Sequence, residues 1–363
     1  MNAADSQWMA QALRLAELGL CTTSPNPRVG CVLVRDGKLI AEGWHVRVGE
    51  PHAEVHALRA ASELARGATA YVTLEPCSHH GRTPPCADAL IAAGVQRVVV
   101  AAQDPNPLVA GQGIARMRAA GVEVACGLME GAARELNIGF FSRMTRGTPW
   151  VRSKIAASLD GRTALANGTS KWITGEAARR DVQHWRARSC AVLTGIGTVL
   201  ADDPMLNVRD FPTERQPLRV VLDSELRISS RAKILQNGQT LVYTALAENA
   251  KHQTLKASSA EVVTLAGADG KVDLIAVLRD LAQRGINEVL VEAGRALNGA
   301  LLKAGLVDEL VLYLAPLLLG DAARGLADLG ELTQLQQGVG LQLKDVRQVG
   351  SDLRIVATIK QEN

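Results

Sequence analysis

GEPHAEVHAL, residues 49–58, brings His52, Glu54 and His56 within about one helical turn of each other. Whether this segment holds a metal, and through which histidine, decides how the first half of the chain is read. Read as a helix running on through "RAASELARG", it has Pro51 suited to the first helical position and Val55, Leu58 and Leu64 as an apolar stripe. His52 and His56 stand four apart and share a face, as the zinc histidines of a metalloprotease do. That motif needs its glutamate directly after the first histidine. Here Ala53 intervenes and Glu54 follows, so the protease reading fails.

A second set of ligands lies downstream in "LEPCSHHGRTPPCADALIAAG", residues 74–94. Cys77 follows an apolar, strand-like run. Cys86, after Pro85 and before the apolar "ADALIAAG", sits near a helix N-terminus, where the helix dipole favours thiolate. One histidine, two cysteines and an open position describe a catalytic zinc site rather than a closed structural one. The order His52-Ala53-Glu54, Pro76-Cys77, Cys86 follows the zinc-deaminase pattern H-x-E, P-C, Cys, in which the glutamate carries protons and does not bind metal. A buried histidine and two small core thiols would account for each residue singly, but not for four residue types in this order. The usual P-C-x-x-C has two residues between its cysteines and this chain has eight, so an extra loop is expected there. His79 and His80 on that loop are rival ligands or substrate contacts in principle and are read as loop residues.

The rest of the chain suits such an enzyme. At 363 residues it is long enough for two domains, and 47% apolar with 21% charged residues is the balance of a globular protein. Only 3% are aromatic, so the cores must be built from Ala, Val and Leu. A net charge of +3 suits phosphorylated small molecules and argues little for nucleic acid. No apolar run reaches the ~20 residues of a membrane span. The start, "MNAADSQWMAQALRLAELG", reads as an amphipathic helix without a signal peptide's basic start, so the expected location is the cytoplasm. In a reducing compartment Cys21, Cys31, Cys126 and Cys190 are expected to be structural thiols.

A boundary is expected near "FFSRMTRGTPW", residues 140–150, dividing the chain into 1–147 and 148–363. In the first half "RVGCVLV", the turn "RDGK" and "LIAEGWH" form a hairpin, followed by strands at "ATAYVTL" and "VQRVVVA" between helices. In the second half strands are expected at "WVRSKIAAS", "CAVLTG", "LRVVLDS", "TLVYTA", "EVVTL", "NEVLVEA" and "DELVLYLAP". Helices are expected at 272–284 and 296–304, and "LQLKDVRQV" and "DLRIVATIK" close the chain as an antiparallel pair. Both halves are α/β.

"TTSPNPRVGCVLVRDGKLIAEGWH", "PHAEVHAL" and "VTLEPCSHHGRTPPC" resemble the deaminase half of the bifunctional riboflavin-biosynthesis deaminase/reductase family. "VRSKIAASLDGRTA", "SKWITG", "GIGTVLADDPMLNVR" and "VEAGRALNGALL" resemble its reductase half, in the same order. The wide cysteine spacing is that family's own form of the motif. The resemblance implies a cytidine-deaminase-like three-layer α/β domain followed by a dihydrofolate-reductase-like α/β domain. It also implies two reactions on phosphorylated pyrimidines. The first is zinc-dependent hydrolysis of the amine from 2,5-diamino-6-(ribosylamino)pyrimidin-4-one 5′-phosphate. The second is NADPH-dependent reduction of the ribosyl chain to ribityl.

In this reading zinc is bound by His52, Cys77 and Cys86, Glu54 is catalytic, and Asn26 in "SPNPRVG" contacts substrate, its bland alternative being a turn residue. "TGIGT" (194–198) and "EAGRALNG" (292–299) are Gly-containing strand-to-helix turns that expose N–H groups to phosphate, but neither matches a Rossmann or P-loop motif. By resemblance Ala156, Trp172, Thr198, Asp202, Ser224 and the run Gly294, Arg295, Ala296, Leu297, Asn298, Gly299 and Ala300 contact NADPH. Ser170, Arg186, Leu206, Arg209 and Glu292 contact the substrate, with Arg186 and Arg209 as phosphate forks. Lys154, Asp202 and Glu292 are candidates for the proton donor of the reduction. The family's habit is a homodimer or homotetramer. Two competing readings are a zinc deaminase of nucleic-acid bases with a non-catalytic second domain, which requires a basic groove with stacking aromatics, and a zinc-stapled binding protein, which requires a fourth protein ligand.

Overall fold

The structure, a computed structural model, describes residues 1–78, 84–236, 238–258 and 260–360, so His79 and His80 lie outside the described residues. The chain divides into two compact units, Met1–Thr148 and Pro149–Asn363.

The first unit runs α1 (Ala3–Glu17), β1 (Gly30–Arg35), β2 (Lys38–Trp44), α2 (Ala53–Ala61), β3 (Thr69–Leu74), α3 (Cys86–Ala92), β4 (Arg97–Ala102), α4 (Gln112–Ala119), β5 (Glu123–Cys126), α5 (Glu130–Leu136) and α6 (Ile138–Arg146). Its five strands lie in the order β2-β1-β3-β4-β5. The β1–β2 hairpin turns between Arg35 and Lys38, β1 also pairs antiparallel with β3, and β3, β4 and β5 run parallel. Side chains alternate across the sheet. Cys31 and Leu33 pack with α2, α3 and α4 on one face, and Val32 and Val34 pack with α1, α5 and α6 on the other. This is the expected three-layer α/β unit, extended by β5, too short and too polar at its start to be read from the sequence.

Two local readings of α2 change. His52 is the N-cap in extended conformation (φ −74°, ψ 166°), so Pro51 lies before the helix rather than at its first position. The buried face is Ala53, Ala57 and Ala61, whereas Val55 and Leu58 are only half-buried and Leu64 is exposed. The reason is close packing. A Cβ at Gly43 of β2 would stand 2.6 Å from the Ala53 carbonyl oxygen and 2.7 Å from the Ala57 nitrogen, so only small residues fit between this helix and the sheet.

The second unit contains β6 (Trp150–Ser158), β7 (Arg162–Ala164), α7 (Glu176–Arg188), β8 (Ala191–Gly195), α8 (Ile196–Asp202), β9 (Leu218–Leu222), β10 (Thr240–Thr244), α9 (Ala250–Ala257) and β11 (Ala260–Thr264). It continues with α10 (Leu274–Gln283), β12 (Glu288–Val291), α11 (Arg295–Lys303), β13 (Glu309–Ala315), β14 (Arg324–Gly325), β15 (Leu341–Val349) and β16 (Asp352–Ile359). Nine strands form one sheet in the order β11-β10-β9-β8-β12-β6-β13-β16-β15. It is parallel from β11 to β13 and ends in the expected antiparallel pair. The parallel strands are apolar on both faces because helices cover both: α10 and α11 on one, α7, α8 and α9 on the other. Arg152, fully buried in β6, is held by Glu309 at 2.9 Å and by Glu288, binding three neighbouring strands through one guanidinium. No helix among the described residues is long and apolar enough to cross a membrane.

Candidate active sites

In the first unit, helix starts and one strand end bring the ligands together. His52 caps α2, Cys86 opens α3, and Cys77 follows β3 on a loop whose carbonyl accepts from the Ala87 N–H at 3.2 Å. His52 Nδ1 lies 3.7 Å from Cys77 Sγ and 3.4 Å from Cys86 Sγ, and the three donor atoms fall within 4.8 Å of one another. Hydrogen bonding from the Cys86 thiol, helped by His52 and by the Cys86 N–H at 3.3 Å, holds the Cys77 thiol well below the ordinary range. The same shared proton, together with burial, pushes Cys86 up. His52 is raised, chiefly by Cys77.

Glu54 is 3% exposed, and its Oε2 is buried without a hydrogen-bond partner. Burial pushes its carboxyl above the usual carboxylate range, with His52 opposing. One imidazole nitrogen, two thiols and a buried carboxylate with one unpartnered oxygen beside them fit a three-ligand zinc site with its fourth position open. His56 stays apart from the ligand group, and its Nε2 is buried without a partner.

Asn26 is brought to the same place. Its Nδ2 donates to His45 Nε2 at 3.1 Å, and His45 Nδ1 in turn donates to the Pro51 carbonyl at 3.1 Å. The His45 ring stands edge-on to His52 with centroids 5.2 Å apart. Sequence reasoning missed His45. A histidine ending "LIAEGWH" carries no motif, and only the pairing of β1 with β2 and β3 places it beside the site.

The second unit holds a cleft of about 1800 Å³ at the C-terminal ends of the parallel strands, where open α/β sheets bind ligands. Ala156, Trp172, Thr198, Asp202, Ser224, Gly294 to Leu297 and Ala300 line it, as do Ser170, Arg186, Leu206, Arg209 and Glu292. Asn298 and Gly299 do not. Asn298 is 1% exposed and is spent on Ser153 (3.1 Å) and the Ala293 carbonyl (3.1 Å). At Gly299 a Cβ would meet the Asp328 carbonyl oxygen at 2.2 Å, so this glycine serves a backbone crossing.

Arg186 is not a free fork. Its Nε and Nη2 hold Glu292 at 2.5 and 3.0 Å, and its Nη1 donates to the Asn207 carbonyl at 3.0 Å. Arg209 is exposed at the cleft, and its guanidinium has no acceptor among the described residues. Asp202 is paired with Lys171 at 3.1 Å, whereas Glu292 stands 4.0 Å from the mostly buried Lys154. Desolvation lowers Lys154, with Glu292 opposing. Arg186 holds Glu292 ionised against the opposing effect of its burial.

Fold and sites together define a zinc-dependent deaminase unit joined to a reductase unit built on a parallel sheet. Comparison with known proteins makes this particular. Residues 2–102 match the cytidine and deoxycytidylate deaminase zinc-binding region, and residues 149–355 match the RibD C-terminal domain. The riboflavin biosynthesis protein RibD of Escherichia coli is 51% identical, aligned over 96% of this chain and 98% of its own. Among solved structures, RibD of Acinetobacter baumannii has a TM-score of 0.92 at 49% identity, covering 99% of both chains. A Thermotoga maritima diaminohydroxyphosphoribosylaminopyrimidine deaminase/5-amino-6-(5-phosphoribosylamino)uracil reductase has a TM-score of 0.87 at 34% identity, covering 98% of this chain and 99% of that one. The chain belongs to the RibD family and is a bifunctional deaminase and reductase of riboflavin biosynthesis.

Proposed function

We propose that residues 1–147 carry the deaminase and residues 148–363 the reductase, acting in turn on the phosphorylated aminopyrimidine. The observation that carries the first assignment is the buried, unpartnered Glu54 Oε2 beside the His52, Cys77 and Cys86 donors. Those three residues hold zinc, which when bound supplies a Lewis acid able to bring the pKa of a water down towards ~7. Glu54 accepts one proton of the attacking water and delivers it to a pyrimidine ring nitrogen, then carries the remaining hydroxyl proton of the tetrahedral adduct to the leaving amine, so that ammonia departs and a carbonyl remains. A carboxyl raised by burial is suited to handing its proton on. Asn26 and His45, joined by their hydrogen bond, orient the ring.

In the second unit the cleft binds NADPH and the deaminated product. The start of α11 and the turn from Gly195 to Thr198 line the cleft, and their N–H groups would hold the cofactor's pyrophosphate. Arg209 holds the substrate phosphate, while Arg186 fixes Glu292. Lys154, desolvated and next to Glu292, gives the proton that accompanies hydride transfer to the opened ribosyl carbon. The thiol ligands call for a reducing compartment, and we place the protein in the cytoplasm as a homo-oligomer.

The test is Glu54→Gln in the full chain, assayed separately for ammonia release and NADPH oxidation. Zinc content stays at wild-type level, ammonia release falls by ~10²–10⁴-fold or more, and oxidation of NADPH with the already deaminated substrate is unchanged. Near-normal ammonia release would remove Glu54 from the mechanism. Loss of both activities with the fold intact would show that the two units do not work independently.

A further inference from the structure

The cleft of the second unit has a direction, set by strand order. Lys154 and Glu292 lie on and beyond β6 and β12, near the middle of the sheet. Ser224 follows β9, and residues 267–275 follow β11 at the sheet's edge. Between these ends lie the turns after β8 and β12 that face a pyrophosphate. A dinucleotide with its nicotinamide at Lys154 and Glu292 therefore has its adenosine at Ser224 and the 267–275 segment. The linings there agree, since Leu222, Val272, Leu274 and Ile275 offer an apolar slot for a base.

Two cations stand at that end. Arg227 is on the loop after β9 and Lys271 on the loop after β11, and the loops touch where the Val272 N–H donates to Ser224 Oγ at 3.1 Å. The loop carrying Arg227 is pinned. Asp223 Oδ2 accepts from the Ile228 N–H at 2.8 Å, and Leu226, with φ +50°, is 1% exposed in the core beneath. Three further cations of the cleft are closely engaged, Lys171 with Asp202 at 3.1 Å, Arg295 with Asp328 at 3.3 Å and Arg324 with the Ala166 carbonyl at 3.2 Å, whereas Lys233 has Asp203 at 3.5 Å and Arg209 has no acceptor among the described residues. Arg227 and Lys271 have only loose, exposed acid neighbours, Glu225 at 3.6 Å and Asp269 at 3.9 Å. No hydrogen bond ties either side chain among the described residues.

We propose that Arg227 and Lys271 recognise the 2′-phosphate of the cofactor and so set the preference for NADPH over NADH, with the Ser224 hydroxyl as a neutral third donor. The inference rests on the cofactor reading of this cleft. A guanidinium fork suits a phosphate dianion, whereas a ribose bearing a free hydroxyl leaves both cations in water and gains nothing from them.

The experiment is calorimetric titration of the zinc-loaded, full-length protein with NADP⁺, NAD⁺, 2′,5′-ADP and 5′-AMP, repeated with Arg227→Ala and with Arg227→Ala/Lys271→Ala. The wild type binds the two 2′-phosphorylated nucleotides more tightly. The variants lose ~10–100-fold for that pair, the loss of a charged hydrogen-bond partner, and keep wild-type affinity for NAD⁺ and 5′-AMP. That unchanged affinity also verifies that the exposed substitutions leave the cleft folded. Retention of the NADP⁺ preference in the double variant would overturn the proposal. Wild-type protein that binds none of the four would instead overturn the cofactor reading, and this inference with it.

Discussion

The two units carry their chemistry in opposite ways. In the first, the three candidate zinc ligands and the proposed proton carrier come from two short segments, and each is a residue type for which the chemistry accepts few substitutes. In the second, the cleft draws on residues from Lys154 to Asp328, mostly backbone turns, small residues and apolar surface. The difference follows from what is bound. Zinc is held by particular side-chain atoms, so its site leaves a pattern in the sequence. A dinucleotide is held largely by backbone N–H groups and shape, which many sequences supply.

The contrast can be broken most directly at the metal ligands. Cys77→Ala should lose most of its zinc by elemental analysis and all measurable ammonia release, while NADPH oxidation with the deaminated substrate continues. Stoichiometric zinc in that variant would mean that the motif does not define the site. In the second unit the contacts are dispersed, so single changes should be milder. Arg209→Ala should raise the KM for the ribosyl phosphate by ~10–100-fold with little change in kcat, the effect of removing one charged partner. An unchanged KM would return the phosphate to another cation of the cleft.

The smallest effect concerns stability. Asp5 of α1 accepts from Arg97 Nη1 at 2.8 Å, Tyr71 Oη at 2.8 Å and the Asn2 N–H at 2.8 Å. Arg97 holds its carboxyl far below the usual range, against the opposing effect of burial. A depressed carboxyl stabilises the fold above the unfolded value near ~4, and that contribution is lost as pH falls through the folded value. Asp5→Asn should therefore cost the first unit ~1.5–3 kcal/mol at neutral pH, with the difference from wild type shrinking on the acid side, measured by denaturant unfolding across pH. A difference that stays constant with pH would show that the ion pair is not what Asp5 contributes.

Much of the architecture was legible because burial imposes periodicity. The hairpin at Asp36-Gly37, the apolar parallel strands and the closing pair β15–β16 all follow from side-chain alternation or from runs buried on both faces. β5 was not legible, being four residues with one buried side chain, Val124. The alanine face of α2 was not either, because it depends on how closely Gly43 lets the helix approach. The grouping of His52, Cys77 and Cys86 with Glu54 beside them was readable from the sequence because metal and proton chemistry restrict residue identity.

Tertiary structure alone decided what each residue does with its neighbours. It spends Arg186 on Glu292, turns Asn298 inward to Ser153, gives Gly299 to a backbone crossing and sets His45 beside Asn26. Strand order, too, is absent from any local pattern, yet it gives the cleft its direction and brings Arg227 and Lys271 to one end of it. The sequence by itself determined which side chains are chemically able to act. Which of them remain free to act depends on hydrogen-bonding partners that lie far away along the chain and adjoin only once the sheets have formed.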